Sequence, residues 1–456
     1  MDRRRFLAAG LAAAATPLLV SVDPARGAAR TKVPAPTESL VTRWDTDRWS
    51  LGSYSALPPG TSPSVRRTLA DTIIGGRIAL AGEYASTQFP ATVTGAYLSG
   101  KYAARRMLDR VSPRTAIVVG AGMAGAASAR ALADAGVDVQ VVEARTRVGG
   151  RIHSSSAWGT PVELGAAWIH AVTGNPLVPL AKEAGLRLVP TNYDDAVARD
   201  TVTGRPSAAA DARWRKIDQL LGRLEDAWPP VDTSVASWLR RAGWKAGRID
   251  DWAQEVEIVQ EYGLDTNRLG VRATEEGANY RGGDAMVSGG YDMIVERQLD
   301  GVLRSMQSPV ERVQSSGSRV TVMLRSGDTL TADAVIVAVP LPILREGTLV
   351  VAGMPRSVAS ALRQIATGNL EKVVLRYDEQ WWGDHQVYGI VGGGVPGAPA
   401  GSMAALRWTE FYSLTPVLGF PALVGFSGGR AARTRPTGDA GCVREATGAL
   451  RAAFAG

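Results

Sequence analysis

Residues 115–151, TAIVVGAGMAGAASARALADAGVDVQVVEARTRVGGR, constrain this chain more than any other stretch. They open on the β-branched run Ile117-Val118-Val119, break into Gly120-Ala121-Gly122-Met123-Ala124-Gly125, and continue as an Ala-rich segment of helical composition. Gly120 suits a tight turn, Gly122 lets backbone approach a pyrophosphate, and Gly125 lets the helix pack close on the strand. The helix N-terminus adds bare N–H groups and the positive end of its dipole. A second strand over 137–142 ends in Glu143, 18 residues after Gly125, placed to accept from a ribose 2′-hydroxyl. A lone glycine fingerprint is weak. Here strand, turn, helix, second strand and acid agree, and together they predict a dinucleotide cradle in an α/β domain. They do not choose between FAD and NAD.

The run that follows, Glu143-Ala144-Arg145-Thr146-Arg147-Val148-Gly149-Gly150-Arg151, adds two glycines and three arginines where a second phosphate-facing loop would lie. It resembles the flavin-containing amine oxidase superfamily, whose members follow the ribose acid with a similar arginine and double-glycine run. The resemblance implies non-covalent FAD. Its contacts would come from Gly120, Gly122, Met123, Ala124, Gly125, Glu143, Ala144, Arg145, Gly149, Gly150 and Arg151, joined by Gly82, Glu83, Thr92, Val93, Gly165, Ala166 and Val310.

A chain of 456 residues buries a large core and divides into two domains or more. Its net charge of +7 is scattered rather than clustered, which argues against nucleic acid as a partner. Cys442 stands alone, excluding an internal disulfide framework, and His153, His170 and His385 are too few and too far apart for a metal cluster visible in sequence.

The chain starts with Arg3-Arg4-Arg5-Phe6-Leu7, an apolar Ala-rich run, and small residues at 27–29. This resembles a twin-arginine export signal over 1–29, implying a periplasmic or extracellular protein that folds around its cofactor before export and keeps no membrane anchor. A Pro- and Thr-rich tether follows. Then come Gly52-Ser53-Tyr54-Ser55, Gly76-Arg77, Ala81-Gly82-Glu83 and Pro90-Ala91-Thr92-Val93 with Gly95-Ala96 and Ser99-Gly100. In the amine oxidases this pattern is the carboxy-terminal flavin-binding segment, yet here it precedes the glycine turn. The order implies a circular permutation, with Ser112-Pro113-Arg114 joining the old ends.

Pro161 to His170 and Gly174-Asn175-Pro176 read as strand then turn. The wording is similar to spermine and acetylpolyamine oxidases, which implies that His170 lies near the amine; without that likeness it reads as an ordinary core or surface histidine. Residues 180–280 read as helical, with Trp214, Trp228, Trp238 and Trp252 as core. Glu255, Glu257 and Glu261 read as a solvated helix face, although they could line the mouth for a cation. Glu371 to Tyr377 alternates as a strand and leads to Trp381-Trp382. In the family a lysine here holds a water against the flavin N5 and an aromatic pair follows. That implies catalytic roles for Lys372 and Trp382, with Tyr54 as one wall beside the flavin. Thr92 would occupy the opposite wall, which is aromatic in monoamine oxidases and non-aromatic in polyamine oxidases and histone-lysine demethylases.

The expected organisation is thus a Rossmann-like FAD-binding domain (60–172 and 284–341) interleaved with an α+β substrate domain (30–59, 173–283 and 342–456). The implied reaction is hydride transfer from the α-carbon of a polyamine or monoamine to flavin N5, then imine hydrolysis to an aldehyde, with oxygen as acceptor and release of hydrogen peroxide. Two rivals stay open. One is an L-amino-acid oxidase, for which Arg272, Arg376 or Arg407 would fork the carboxylate. The other is a flavin-holding protein without turnover. The sequence leaves the oligomeric state open.

Overall fold

The computed structural model describes residues 33–227, 232–276, 280–395 and 397–456. The export-signal segment and Trp228 lie outside the described residues.

Five short parallel strands form one sheet, in the spatial order Leu303–Ser305, Asp138–Val142, Thr115–Val119, Ala334–Val337 and Ile78–Leu80. Their centre is Val, Ile and Ala buried on both faces, the pattern of a sheet covered on each side. Val119, Val142, Val337 and Leu80 stand in register, so the carboxyl ends of four strands reach one edge together. Ligands in such sheets bind beyond that edge.

Two helices, Val93–Val111 and Met123–Asp134, pack on each other across small residues. A Cβ on Gly100 would lie 2.1 Å from the Ala124 carbonyl oxygen, so only glycine permits this approach. The helix Val93–Val111 is thereby pressed against the glycine-turn helix.

A second, seven-stranded sheet has the order Glu38–Val41, Leu370–Arg376, Ala422–Gly428, Glu410–Ser413, Val387–Val391, Ala196–Asp200, Arg205–Pro206. All its pairings are antiparallel except Ala196–Asp200 with Val387–Val391. This corrects the expectation of helix throughout 180–280. Arg187–Pro190, Ala196–Asp200 and Arg205–Pro206 are strands, because each finds a pairing partner and pairing outweighs a weak local helix preference. True helices occupy Ala208–Ala227, Val235–Arg241 and Arg248–Gln254, the last running into a π-helical turn, Glu255–Val259. Trp214 and Trp252 meet edge to face at 5.2 Å inside this helical layer, and Trp238 packs against its core.

One face of the large sheet is covered by the helix Asp439–Ala453. A buried ionic cluster fastens the first strand beneath it: Arg435 donates to Asp45 at 2.7 and 3.1 Å and lies 3.4 Å from Glu371, which accepts from Thr42 Oγ1 at 2.5 Å. Arg451 Nε donates to the Val33 carbonyl at 3.2 Å, so the first described residue and the last helix are neighbours. No helix among the described residues is long and apolar enough to cross a membrane.

The helix–helix contact is testable. Gly100→Ala should lower stability by about 2 kcal/mol in thermal or urea unfolding, because backbone must move to admit the methyl group. Gly222→Ala, inside the helix Ala208–Ala227 where an added methyl meets nothing, should not lower stability.

Candidate active site

A long cavity begins beyond the carboxyl edge of the parallel sheet and ends against the large sheet. Its outer part is the cradle. Gly120 has φ +104°, and a Cβ there would lie 2.8 Å from the Ala338 carbonyl. Gly122 caps the helix Met123–Asp134, and a Cβ on Gly125 would lie 1.9 Å from the Gly120 carbonyl. Gly125 therefore supports the turn from behind, while Gly120, Gly122, Met123 and Ala124 line the cavity. The second glycine loop lies against the first: Gly149 N donates to the Ala121 carbonyl at 2.8 Å. Glu143 is buried and accepts from Ala121 N at 2.7 Å and Arg145 N at 2.8 Å, which aims its carboxylate between the two loops. Ala144, Gly150 and Val310 complete that wall.

Further in, the arginines are engaged with carboxylates. Arg145 forks Asp47 at 2.9 and 2.5 Å, and Arg151 donates to the Ser53 carbonyl at 2.8 Å and to Glu83 at 3.0 Å. Glu83 also accepts from Ser55 Oγ at 2.6 Å and Ala91 N at 3.0 Å. Burial pushes its carboxyl up, but the charges of Arg151 and Arg66 and the Ser55 hydroxyl hold it below the usual carboxylate range. Arg66 and Glu276, which pair with each other, and Asp47 are cavity-network residues that the sequence did not single out. Their spacing carries no local signal, since each partner is remote in sequence. Thr92 caps the helix Val93–Val111, accepting from Gly95 N at 2.9 Å, and with Val93 and Gly82 it turns that helix's positive end to the cavity.

The inner end is rich in aromatic side chains. Lys372 is 5% exposed, and its Nζ donates to the carbonyls of Glu163 at 2.9 Å and Gly165 at 2.5 Å. It stands 5.9 Å from the Trp168 ring and 5.8 Å from the Phe426 ring. Gly165 and Ala166 form the floor beside it. Tyr54 lines a wall and donates its hydroxyl to the Gln260 carbonyl at 2.6 Å. His170 lines another, with Nδ1 2.7 Å from Asp284.

Two expectations are corrected. Trp382 does not reach the cavity. Strand alternation sends Lys372 and Val374 to the cavity side and Val373, Leu375 and Tyr377 to the other, and Trp382 packs with Tyr377 at 5.6 Å behind the sheet. The three glutamates do not share a solvated face either. Glu255 is buried and accepts from Gly428 N at 3.0 Å, Glu257 accepts from the Trp214 indole, and Glu261 lines the cavity. The π-helical turn rotates these residues relative to an α-helical wheel, which sequence spacing does not reveal.

The residues fit a flavin dinucleotide. Two glycine loops, a helix N-terminus and a buried acid between the loops lead into a chamber with a buried lysine and aromatic walls. Such a fold and site define a flavin-dependent oxidoreductase. The family model described as flavin containing amine oxidoreductase matches residues 10–108 and 123–455, and the chain belongs to that family. It is an FAD-dependent amine oxidase. It is 28% identical over 352 residues to polyamine oxidase 3 of Oryza sativa subsp. japonica, covering 70% of this chain and 68% of that protein. It is 25% identical over 366 residues to human lysine-specific histone demethylase 2, covering 75% of this chain and 44% of the other. A redesigned putrescine oxidase superposes with a TM-score of 0.60 at 20% identity, covering 75% of this chain and 82% of that one, a likeness of fold.

Glu163, whose carbonyl accepts from Lys372, offers a pH test. Burial pushes its carboxyl up to about 7, against hydrogen bonds from Tyr291 N and Ser154 Oγ. A carboxyl raised on folding takes up a proton, so its stability contribution is full below the ordinary carboxylate range and is lost as pH rises through about 7. Melting temperatures across pH 4–8 should therefore show Glu163→Gln gaining on the parent, by on the order of 2 kcal/mol at the alkaline end.

Proposed function

We propose that the substrate is a long or multiply charged amine of the polyamine class, bound with one nitrogen beside His170 and Lys372 and a second cationic group near Glu261. The observation that carries this is Glu261, a carboxylate on the wall of a cavity that also holds the aromatic side chains of Tyr54, Trp168 and Phe426. Thr92 also lines the cavity, where it takes up less room than an aromatic side chain would. When bound, the flavin accepts a hydride and returns the electrons to oxygen. The chain's residues do the rest. The aromatic walls exclude water and hold the alkyl chain, Glu261 sets its register, and Lys372 holds a water at the chamber floor. The likeness to polyamine oxidase 3 supports the same substrate class.

The amino-acid oxidase reading loses support. Arg376 pairs with Glu38 and Arg407 with Glu445, and neither of these nor Arg272 lines the cavity. Placement of Lys372 in the chamber argues for turnover rather than a flavin-holding role.

The chain's order is read as a circular permutation. In its favour, residues 82–96 share the cavity with the glycine turn, the joint at 112–114 is a direct link from helix to strand, and Val33 adjoins the last helix. The two-domain division is supported by the sheets. The parallel sheet draws every strand from 60–172 or 284–341, and the seven-stranded sheet draws all of its strands from the remainder. Non-covalent flavin is supported by Ser53, which donates to the Leu370 carbonyl at 3.0 Å where cysteinyl-flavin relatives would carry the linking thiol; Cys442 is buried in the last helix. Export through the twin-arginine route rests on the first 29 residues of the sequence.

Peroxide release tested across putrescine, spermidine, acetylated polyamines, benzylamine and amino acids should favour the polyamines; a strict preference for benzylamine or an amino acid would reject the proposal. Lys372→Met should keep bound FAD and lose at least about tenfold in rate, roughly 1.4 kcal/mol of barrier, with rapid mixing showing which half-reaction slows. Glu261→Gln should raise KM for spermidine about tenfold and leave kcat within about twofold, as loss of uniform binding requires.

A further inference from the structure

We propose that Asp284 is a positioning residue for amine oxidation: it holds the His170 proton on Nδ1 and so makes Nε2 the atom that takes a proton from the incoming substrate ammonium. This rests on the amine-oxidase reading and adds the step that turns a cationic substrate into an oxidisable neutral amine.

Asp284 follows Gly282-Gly283 and leads into the strand Ala285–Ser288, whose Ala285 pairs with Ile169, the residue before His170. That register brings the two side chains together across 114 residues of sequence. The Asp284 side chain is 2% exposed and has three donors around it: His170 Nδ1 at 2.7 Å, Ala171 N at 2.9 Å and the Tyr193 hydroxyl at 2.9 Å. Ala171 sits at φ +51°, a left-handed conformation that costs a non-glycine residue energy and is held by this bond to Asp284. Asn175 Nδ2 donates to the His170 carbonyl at 2.8 Å. Ring and backbone of His170 are both clamped.

Burial works against charge on Asp284, yet the positive charge His170 carries when protonated, the hydrogen bond from its ring, and the Ala171 N and Tyr193 hydroxyl donors bring the carboxyl below the usual range, so it is ionised. An ionised carboxylate only accepts, and Nδ1 must therefore be the donor. In the neutral ring the lone pair then resides on Nε2, and the ring lines the chamber. An alkylammonium loses its proton near pH 10, so about one molecule in a thousand is neutral near pH 7. In the proposed step the ammonium N–H bond breaks, an N–H bond forms at Nε2, and the positive charge passes to an imidazolium paired with Asp284. No electrons are transferred, and the proton leaves to solvent after product departs. The pairing stabilises the imidazolium and fixes the tautomer. Among the described residues, Tyr193 shares the carboxylate, and Lys372 and Glu261 line the same cavity as the ring.

The test compares holoenzymes with putrescine and spermidine near pH 7 and near pH 10, following anaerobic flavin reduction. Asp284→Asn should keep the visible spectrum of bound FAD, lose at least about tenfold in kcat/KM near pH 7, and come within about twofold of the parent near pH 10, where free amine is supplied by solution. A deficit equal at both pH values, or none at either, overturns the proposal. His170→Gln provides the second arm if the first variant loses FAD: its deficit should close in the same way, and a pH-independent loss overturns the proposal equally. If the parent reduces with no amine, it is the amine-oxidase reading that falls, which the same traces distinguish.

Discussion

The buried carboxylate of Glu83 is the contact on which the site depends. It gathers Ser55, Ala91 and Arg151, and through Ser55 also Arg66, so four chain segments converge on one charge. A buried carboxylate without such partners would protonate or destabilise the fold. With them, the segment around Gly52-Ser53-Tyr54-Ser55, the helix capped by Thr92 and the second glycine loop are held around one cavity. Tyr54 and Thr92 owe their places on its walls to this network.

The large sheet solves a different problem. It must offer a chamber wall on one face and a folded core on the other, and period-two alternation along Leu370–Arg376 does both. Lys372 goes to the chamber, where two backbone carbonyls accept from its Nζ, and its neighbours join the Trp381 and Trp382 cluster behind. The same sheet seats Phe426 next to Lys372, so aromatic wall and lysine arrive together through one strand pairing.

Much of the cradle was legible in sequence because it is local. A strand, three glycines and an acid within 29 residues define their own geometry, and the double glycine after Glu143 follows directly. Lys372 was legible through its resemblance and its alternating strand. Trp382 was misread because a likeness of sequence carries no information about which face of a sheet a loop residue meets after the strand has ended. Glu261 was misread because a single π-helical turn changes the phase of the helix. Arg66, Glu276 and Asp284 carried no signal, since their partners lie 210, 210 and 114 residues away.

By itself, then, the sequence determined the phosphate-binding turn, the family and the lysine-bearing strand, each of which is written in short-range spacing. The tertiary structure alone decided which charges are paired, which face each aromatic takes, and that His170 rests on Asp284. Those outcomes depend on strand register and burial, which bring together residues that no local pattern connects.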